Sequence, residues 1–426
     1  MLSFTFNCSS KKGRSVSFMF GRIGASAYDK RFGTELHFDP DLLLDAAFYA
    51  RENGAKYLRR VPISKIESLL TSFITENYYC LTEGEIFHDF ENSYEEYLSD
   101  RSKEAFYALL YKSSIFNEVV SLYTFPIQTV DVLSDYYSES FSIVKPDSLL
   151  NVKTTVDLSI FDIKPSLYPP SERPINRHYP FKSWLCVNAA SIYEANKMKA
   201  AILSCLSLKY KDSIRRQFNQ VDHMGGHCCF SDDKMSFQFG VAHTPSVSQS
   251  LKLNGADHEC LNILSGLFLS RTDTDFRKLR ALEYFYRSWF LEESERFPFL
   301  FMSLESMFGD GRNANQSVLN GVLSLFGDTL DLQRVRLMAE LRGSIVHGGA
   351  PEIYDSRKYA KYYKKFSVCP SKDLDLLVAE SIRVFVFFEK LCRQQDEHHE
   401  VIEQAVKSGR INAYNDKSIF SESKIK

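Results

Sequence analysis

Residues 331–349 read DLQRVRLMAELRGSIVHGG, and how this stretch is read decides the fold of the C-terminal half. Apolar side chains fall at Leu332, Val335, Leu337, Met338, Leu341, Ile345 and Val346, a spacing that lays an amphipathic stripe along one helix. Gly348, Gly349 and Pro351 then stop it, because glycine takes the left-handed turn after a helix and proline cannot continue one. His347 therefore falls in the last turn, where the free backbone carbonyls carry partial negative charge and favour a cation. Arg342 precedes it by five residues. At about 100° per residue the two side chains stand about 140° apart, so one straight helix does not make them neighbours. Either the helix distorts near Gly343, or a second copy lays its own helix across the first and brings two arginines and two histidines to one cleft. Taken alone, the spacing equally suits a capping histidine and a solvated or ion-paired arginine.

Outward from this stretch the C-terminal half keeps helical spacing, at 256–270, 274–292, 296–308, 315–326, 331–347 and 372–408. The N-terminal half is mixed. LSFTF (2–6) and SVSFMF (15–20) alternate apolar and polar residues around the turn-forming SSKKGR, a hairpin signal. Asp39-Pro40 introduces the helical DLLLDAAFYAREN, which ends at Gly54, and further helices are expected at 64–75 and 103–122. Alternation returns between 128 and 164. Residues 164–184, KPSLYPPSERPINRHYPFKSW, hold five prolines and read as an inter-domain connector. Beyond it a helix is expected near 190–217, followed by β structure that includes KMSFQFGV. The expected fold class is α+β: an N-terminal mixed region of sensor or regulatory type (1–164), a proline-rich connector (165–184), a mixed section (185–255) and an all-helical bundle (256–426).

Composition narrows the class without naming a function. A chain of 426 residues exceeds one ordinary hydrophobic core, and 44% hydrophobic with 25% charged residues is the balance of a folded protein. The net charge of -2 means that any polyanion must meet a local basic patch. No apolar run approaches the ~18 residues that span a bilayer, and the N-terminus lacks the layout of a secretion signal, so a cytoplasmic protein without a membrane partner is expected. Nine cysteines without a framework of pairs suit reduced thiols.

FPFLFMSLESMFG (297–309), a helix pair and then AELRGSIVHGG (339–349) together resemble the Apea-like branch of the HEPN superfamily. Such domains carry a helix of "alE.LF" type, then an arginine, four to six residues, and histidine-glycine. The matching positions are Leu304-Glu305-Ser306-Met307-Phe308, then Arg342 and His347-Gly348, within residues 256–408. The position after the arginine, often polar in catalytic members, is Gly343 here. The resemblance implies an all-helical HEPN domain that forms a homodimer or higher homo-oligomer. It also implies a metal-independent endoribonuclease with no cofactor, serving anti-phage defence or toxin-like growth arrest. Arg342 and His347 of two protomers would form the composite catalytic site, RNA (tRNA or another structured or single-stranded RNA) would be the substrate, and a phage-derived trigger would fit the role. The alternative is a catalytically silent HEPN module that dimerises or binds a partner protein or nucleic acid.

The chemistry is coherent on its own terms. Cutting RNA through its own 2′-hydroxyl requires proton transfer and stabilisation of charge on the phosphoryl oxygens, and histidine does the first near neutral pH. A forked, permanent guanidinium does the second. Glu305 sits in an otherwise apolar helix and needs a partner, which makes Arg342 or Arg336 the cation it would orient; a partly exposed glutamate at a helix end is the competing reading.

YDSRKYAKYYKKF (354–366) offers an RNA-holding surface in Arg357, Lys358, Lys361, Lys364 and Lys365 with Tyr362, since basic groups neutralise phosphates and rings stack on bases. A solvated connector whose tyrosines pack inward is the competing reading. VDHMGGHCCF (221–230) gathers Asp222, His223, His227, Cys228 and Cys229, all metal-ligand types, but in no standard zinc spacing. A turn followed by a strand is expected there, with no metal. EHHE (397–400) is expected on the polar side of the last long helix, and no phosphate-cradling glycine loop is present.

Overall fold

Two periodicities in one chain give two kinds of layer, and the protein is α+β. The structure, a computed structural model, describes residues 1–6, 14–23, 30–82, 93–127, 130–163, 183–210, 218–231, 234–245, 251–270, 272–311, 313–349, 352–395, 399–410 and 418–420. It divides into two units, Met1–Val120 with Ala190–Glu194, and Ser121–Ala189 with Ala195–Lys426.

In the first unit β1 (Thr5–Phe6), β2 (Arg14–Ile23) and β3 (Lys30–Phe38) form an antiparallel sheet in the order β1-β3-β2. Helix α1 (Pro40–Asn53) starts where the Asp39 carboxylate accepts the Asp41 and Leu42 amides, each at 3.0 Å. With Pro40 at the first position the start is fixed twice over. It ends at Gly54, as its sequence requires. Helices α2 (Ile63–Glu76), α3 (Tyr94–Tyr97) and α4 (Asp100–Lys112) complete the unit around Phe38, Leu58, Ile66, Ile74 and Phe106. The helix expected over 103–122 stops at Lys112. Ser113 turns extended and its hydroxyl donates to the Leu110 carbonyl at 2.6 Å, and a strand begins eight residues later at Ser121.

The second unit carries β4 (Ser121–Ile127), β5 (Val130–Val132), β6 (Tyr136–Tyr137), β7 (Phe141–Val144), β8 (Ser183–Ala189), all but the first turn of α5 (Ile192–Ser207), β9 (Phe218–Ser231), β10 (Lys234–Pro245) and β11 (Leu251–Leu253). Six of these strands form one sheet in the order β10-β9-β4-β8-β7-β6, antiparallel except where β10 touches β4 at His243↔Ile127. The boundary expected at 164 is therefore not where the chain divides. β4 and β8 flank the proline-rich residues in sequence and pair from Ser121↔Ala189 to Ile127↔Ser183, so both sides of that stretch belong to one sheet. Residues 164–182, on which the connector reading falls, lie outside the described residues.

Helices α6 (His258–Leu269), α7 (Asp273–Ser288), α8 (Glu293–Phe308), α9 (Ala314–Phe326), α10 (Leu332–Val346), α11 (Arg357–Phe366), α12 (Pro370–Phe385) and α13 (His399–Lys407) follow. α8 is the axis, packing against α7, α9, α10 and α12 and burying Phe297, Leu300, Phe301 and Leu304. Arg277 of α7 closes its C-terminus, donating from Nε to the Ser306 carbonyl at 2.9 Å and from Nη2 to that of Gly309. Cations at a helix C-terminus offset the partial charge of unpaired carbonyls. α9 comes close enough that a Cβ at Gly321 would meet the Phe308 side chain. The helix expected over 372–408 is two: the chain turns at Val386 and Phe387, both fully buried, and Phe388 and Glu389 take φ of 50° and 61°. An all-apolar stretch without a polar side is buried more completely by turning than by continuing one helix past the core.

Candidate active site

α10 begins with its own cap, the Asp331 carboxylate accepting the Gln333 and Arg334 amides at 3.0 and 3.3 Å. The guanidinium of Arg334, in its first turn, points into the core. Its Nη1 lies 2.8 Å from Asp373 Oδ2, and the group stacks 4.8 Å from the Phe366 ring. A buried arginine is tolerated because it is paired.

Two turns later Arg342 reaches α8. Its Nη2 donates to Glu305 Oε2 at 3.1 Å and stands 3.0 Å from Oε1, while the guanidinium carbon is 5.9 Å from the Phe301 ring. Their side chains are 23% and 18% exposed, so the pair is shielded but reachable. Burial raises the Glu305 carboxyl above its ordinary range, and the attraction and hydrogen bond of Arg342 only partly offset it. Nε of Arg342 is itself buried and, among the described residues, has no hydrogen-bond partner. Of the two arginines expected near Glu305, Arg342 takes the place and Arg336 is exposed.

His347 is the C-terminal cap, with φ -92° and ψ 12°, its amide donating to the Gly343 carbonyl at 3.1 Å. Gly348 follows at φ 72°, the left-handed turn that glycine supplies without strain. α10 runs unbroken through Gly343, so distortion of the helix does not bring the two side chains together. His347 and its neighbour Val346 are both exposed. A Cβ at Gly343 would meet nothing within 4 Å, so packing does not demand the glycine.

The basic stretch after the histidine is helical rather than a connector. Ser356 caps α11 by accepting the Lys358 amide at 3.2 Å, and Arg357, Lys361, Lys364 and Lys365 face solvent on one side. Lys358 is half-buried and donates to the Glu340 carbonyl at 3.1 Å, tying α11 to α10 two residues before Arg342. The expectation that Tyr362 contacts RNA is corrected. Tyr362 has no exposed surface, donates its hydroxyl to Asp373 beside Arg334, and has its pKa driven far up by burial and by that carboxylate. A ring without an accessible face cannot stack on a base. The exposed rings of this region are Tyr354 and Tyr363, and the one-residue shift follows from helical spacing: Tyr359, Tyr362 and Phe366 share the inward face, which the sequence pattern contained.

Of the possible metal ligands of 221–230, strand alternation separates Cys228 from His227. Cys228 is buried with Leu122, Trp184 and Phe230 on one face of the sheet, whereas His227 packs its ring on Tyr123 and Phe125 of the other. The side chains of Asp222 and His223 lie outside the described residues. Among the described residues no three histidine, cysteine or acidic groups cluster as a metal site would require. His399 pairs with Glu403 at 3.2 Å on the exposed surface of α13. Among the described residues, no helix is long and apolar enough to cross a membrane.

No protein-family model matches the chain, nor does any curated protein or solved structure.

Proposed function

We propose that the chain is a metal-independent endoribonuclease of the Apea-like HEPN type, acting in anti-phage defence or toxin-like growth arrest, with Arg342 and His347 of two protomers in one composite site. The observation that carries this reading is the setting of Arg342. A guanidinium half-withdrawn from water and held by Glu305 on one nitrogen stands five residues before an exposed histidine at the end of an unbroken helix.

In the proposed reaction the 2′-oxygen of one ribose forms a bond to the adjacent phosphorus while the bond from phosphorus to the 5′-oxygen of the next nucleotide breaks. A proton leaves the 2′-hydroxyl and a proton reaches the departing 5′-oxygen; His347 serves one of these transfers. Arg342 bonds the phosphoryl oxygens as charge builds there. The products are a cyclic 2′,3′-phosphate and a 5′-hydroxyl. Because one helix holds the arginine and histidine about 140° apart, a second copy crossing at the exposed Val346–His347 end would complete the site. Arg357, Lys361, Lys364 and Lys365 would hold the RNA.

The same Arg342–Glu305 pair also suits a silent interaction module, in which it serves only to fasten α10 to α8. The deciding experiment is cleavage of bulk tRNA and of a structured single-stranded RNA in EDTA, comparing wild type with Arg342→Ala and His347→Ala at matched folding. Cleavage by the wild type alone, with cyclic phosphate ends, is expected. Cleavage that survives both substitutions would overturn the site, and silence of the wild-type dimer would favour the module.

A further inference from the structure

A second pair of basic groups lies in the sheet of the second unit. β4 and β9 align Tyr123↔Cys229 and Thr124↔Cys228, so alternation puts Tyr123, Phe125, His227 and Cys229 on one face. α5 sets Lys199 over that face, its Nζ 4.5 Å from the centre of the Phe125 ring. The His227 ring lies 5.7 Å from Phe125 and 6.0 Å from Tyr123. Phe125 thus has an ammonium and an imidazole against it.

Among the described residues neither base has a counter-charge. Among the described residues Lys199 and His227 make no ion pair, and the charge that His227 feels most is that of Lys199 itself. The chain treats another buried lysine differently: Lys209 is paired directly with the buried Asp257. Lys199 keeps some residue surface in solvent, yet its amine lies deep enough for burial to lower its pKa to about 8. Burial, and then Lys199, lower that of His227. The thiol of Cys229, on the same face, has its pKa raised by burial.

Two desolvated bases that repel each other are stabilised together by an oxyanion, which bonds to both and offsets both charges. A phosphate monoester carries close to two negative charges near neutral pH, matching two protonated bases. We infer that Lys199 and His227 form a binding site for a phosphoryl group on the sheet face at Phe125, independent of Arg342 and His347. The carrier is free phosphate or a small phosphorylated metabolite, and the site does not depend on the ribonuclease reading.

The test is an NMR titration of the full chain. The ring-proton signal of His227, assigned by its loss in His227→Gln, is followed while inorganic phosphate or AMP is added at constant ionic strength set with chloride. Saturable movement of the signal is expected, with a rise in the pH at which His227 titrates. Tighter binding of AMP than of phosphate would identify a nucleotide carrier, and equal binding the free ion. Lys199→Met should weaken binding roughly tenfold or more, as loss of a charge-assisted hydrogen bond does, whereas Lys199→Arg should retain it. An unmoved His227 signal with both probes overturns the site, as does a wild-type response in folded Lys199→Met.

Discussion

Arg342 of α10 holds the carboxylate of Glu305 on α8, with Nη2 3.0 and 3.1 Å from its two oxygens. The contact fixes an otherwise long, freely rotating side chain five residues before an exposed histidine, and its loss is measurable in two ways. Glu305→Gln keeps the shape and removes the charge, so RNA cleavage is expected to fall about tenfold, against about 10²- to 10³-fold for Arg342→Ala. The pH dependence has a definite sign. Because burial raises the folded-state pKa of Glu305 above its ordinary 4.5, the folded state binds this proton more tightly than the unfolded one. The stability it contributes is full below 4.5 and is lost as pH rises through the folded value. Glu305→Gln should therefore flatten the decline in stability over that window in urea titrations; an unchanged pH profile would separate Glu305 from it.

Arg334, Asp373 and Tyr362 make a buried cluster in which the Asp373 carboxylate accepts from both the guanidinium and the phenol. Asp373→Asn strands a buried guanidinium and should destabilise the second unit by about 3–5 kcal/mol. Tyr362→Phe removes one hydrogen bond to a charged acceptor and should cost about 1.5–3 kcal/mol. Denaturant unfolding reads both values. RNA affinity measured below the unfolding transition should be the same in Tyr362→Phe as in wild type, and a selective loss of affinity would return this ring to the surface role first expected of it.

The outward face of α11 should bind RNA through charge. Replacing Lys361, Lys364 and Lys365 together with glutamate should abolish measurable binding, and replacing them with glutamine should lower the salt slope of single-strand binding by about 2, at roughly 0.7 per phosphate contact. Filter binding across a salt series checks this. A slope that the glutamine variant leaves unchanged would place the RNA elsewhere.

Much of this was legible in the sequence. The stripe from Leu332 to Val346, stopped by Gly348, fixed α10 closely, and Asp39-Pro40 and Gly54 bracketed α1. Glu305 stood out because a carboxylate in an apolar helix needs a cation, although the sequence offered Arg336 beside Arg342 and only packing chose between them. Spacing failed where a local pattern competed with tertiary burial. The apolar run at Val386 and Phe387 looked like more helix, and neither the alternation at 128–164 nor the residues just after the prolines gave a hint that β4 and β8 are neighbours in one sheet. Lys199 left no mark at all, since one lysine in a helix looks solvated until the opposite face of the strand layer is known.

The pairing of Arg334 with Asp373 has a mechanical side. From Arg334 to His347 α10 and its cap advance about 20 Å at 1.5 Å per residue. One end of this rod is clamped in the core, its middle is braced by Glu305, and its tip carries the imidazole. The height of that tip above the bundle is consequently set by two anchors, Asp373 on α12 and Glu305 on α8, so a shift of either helix would be felt at the histidine without any change in the loop beyond it.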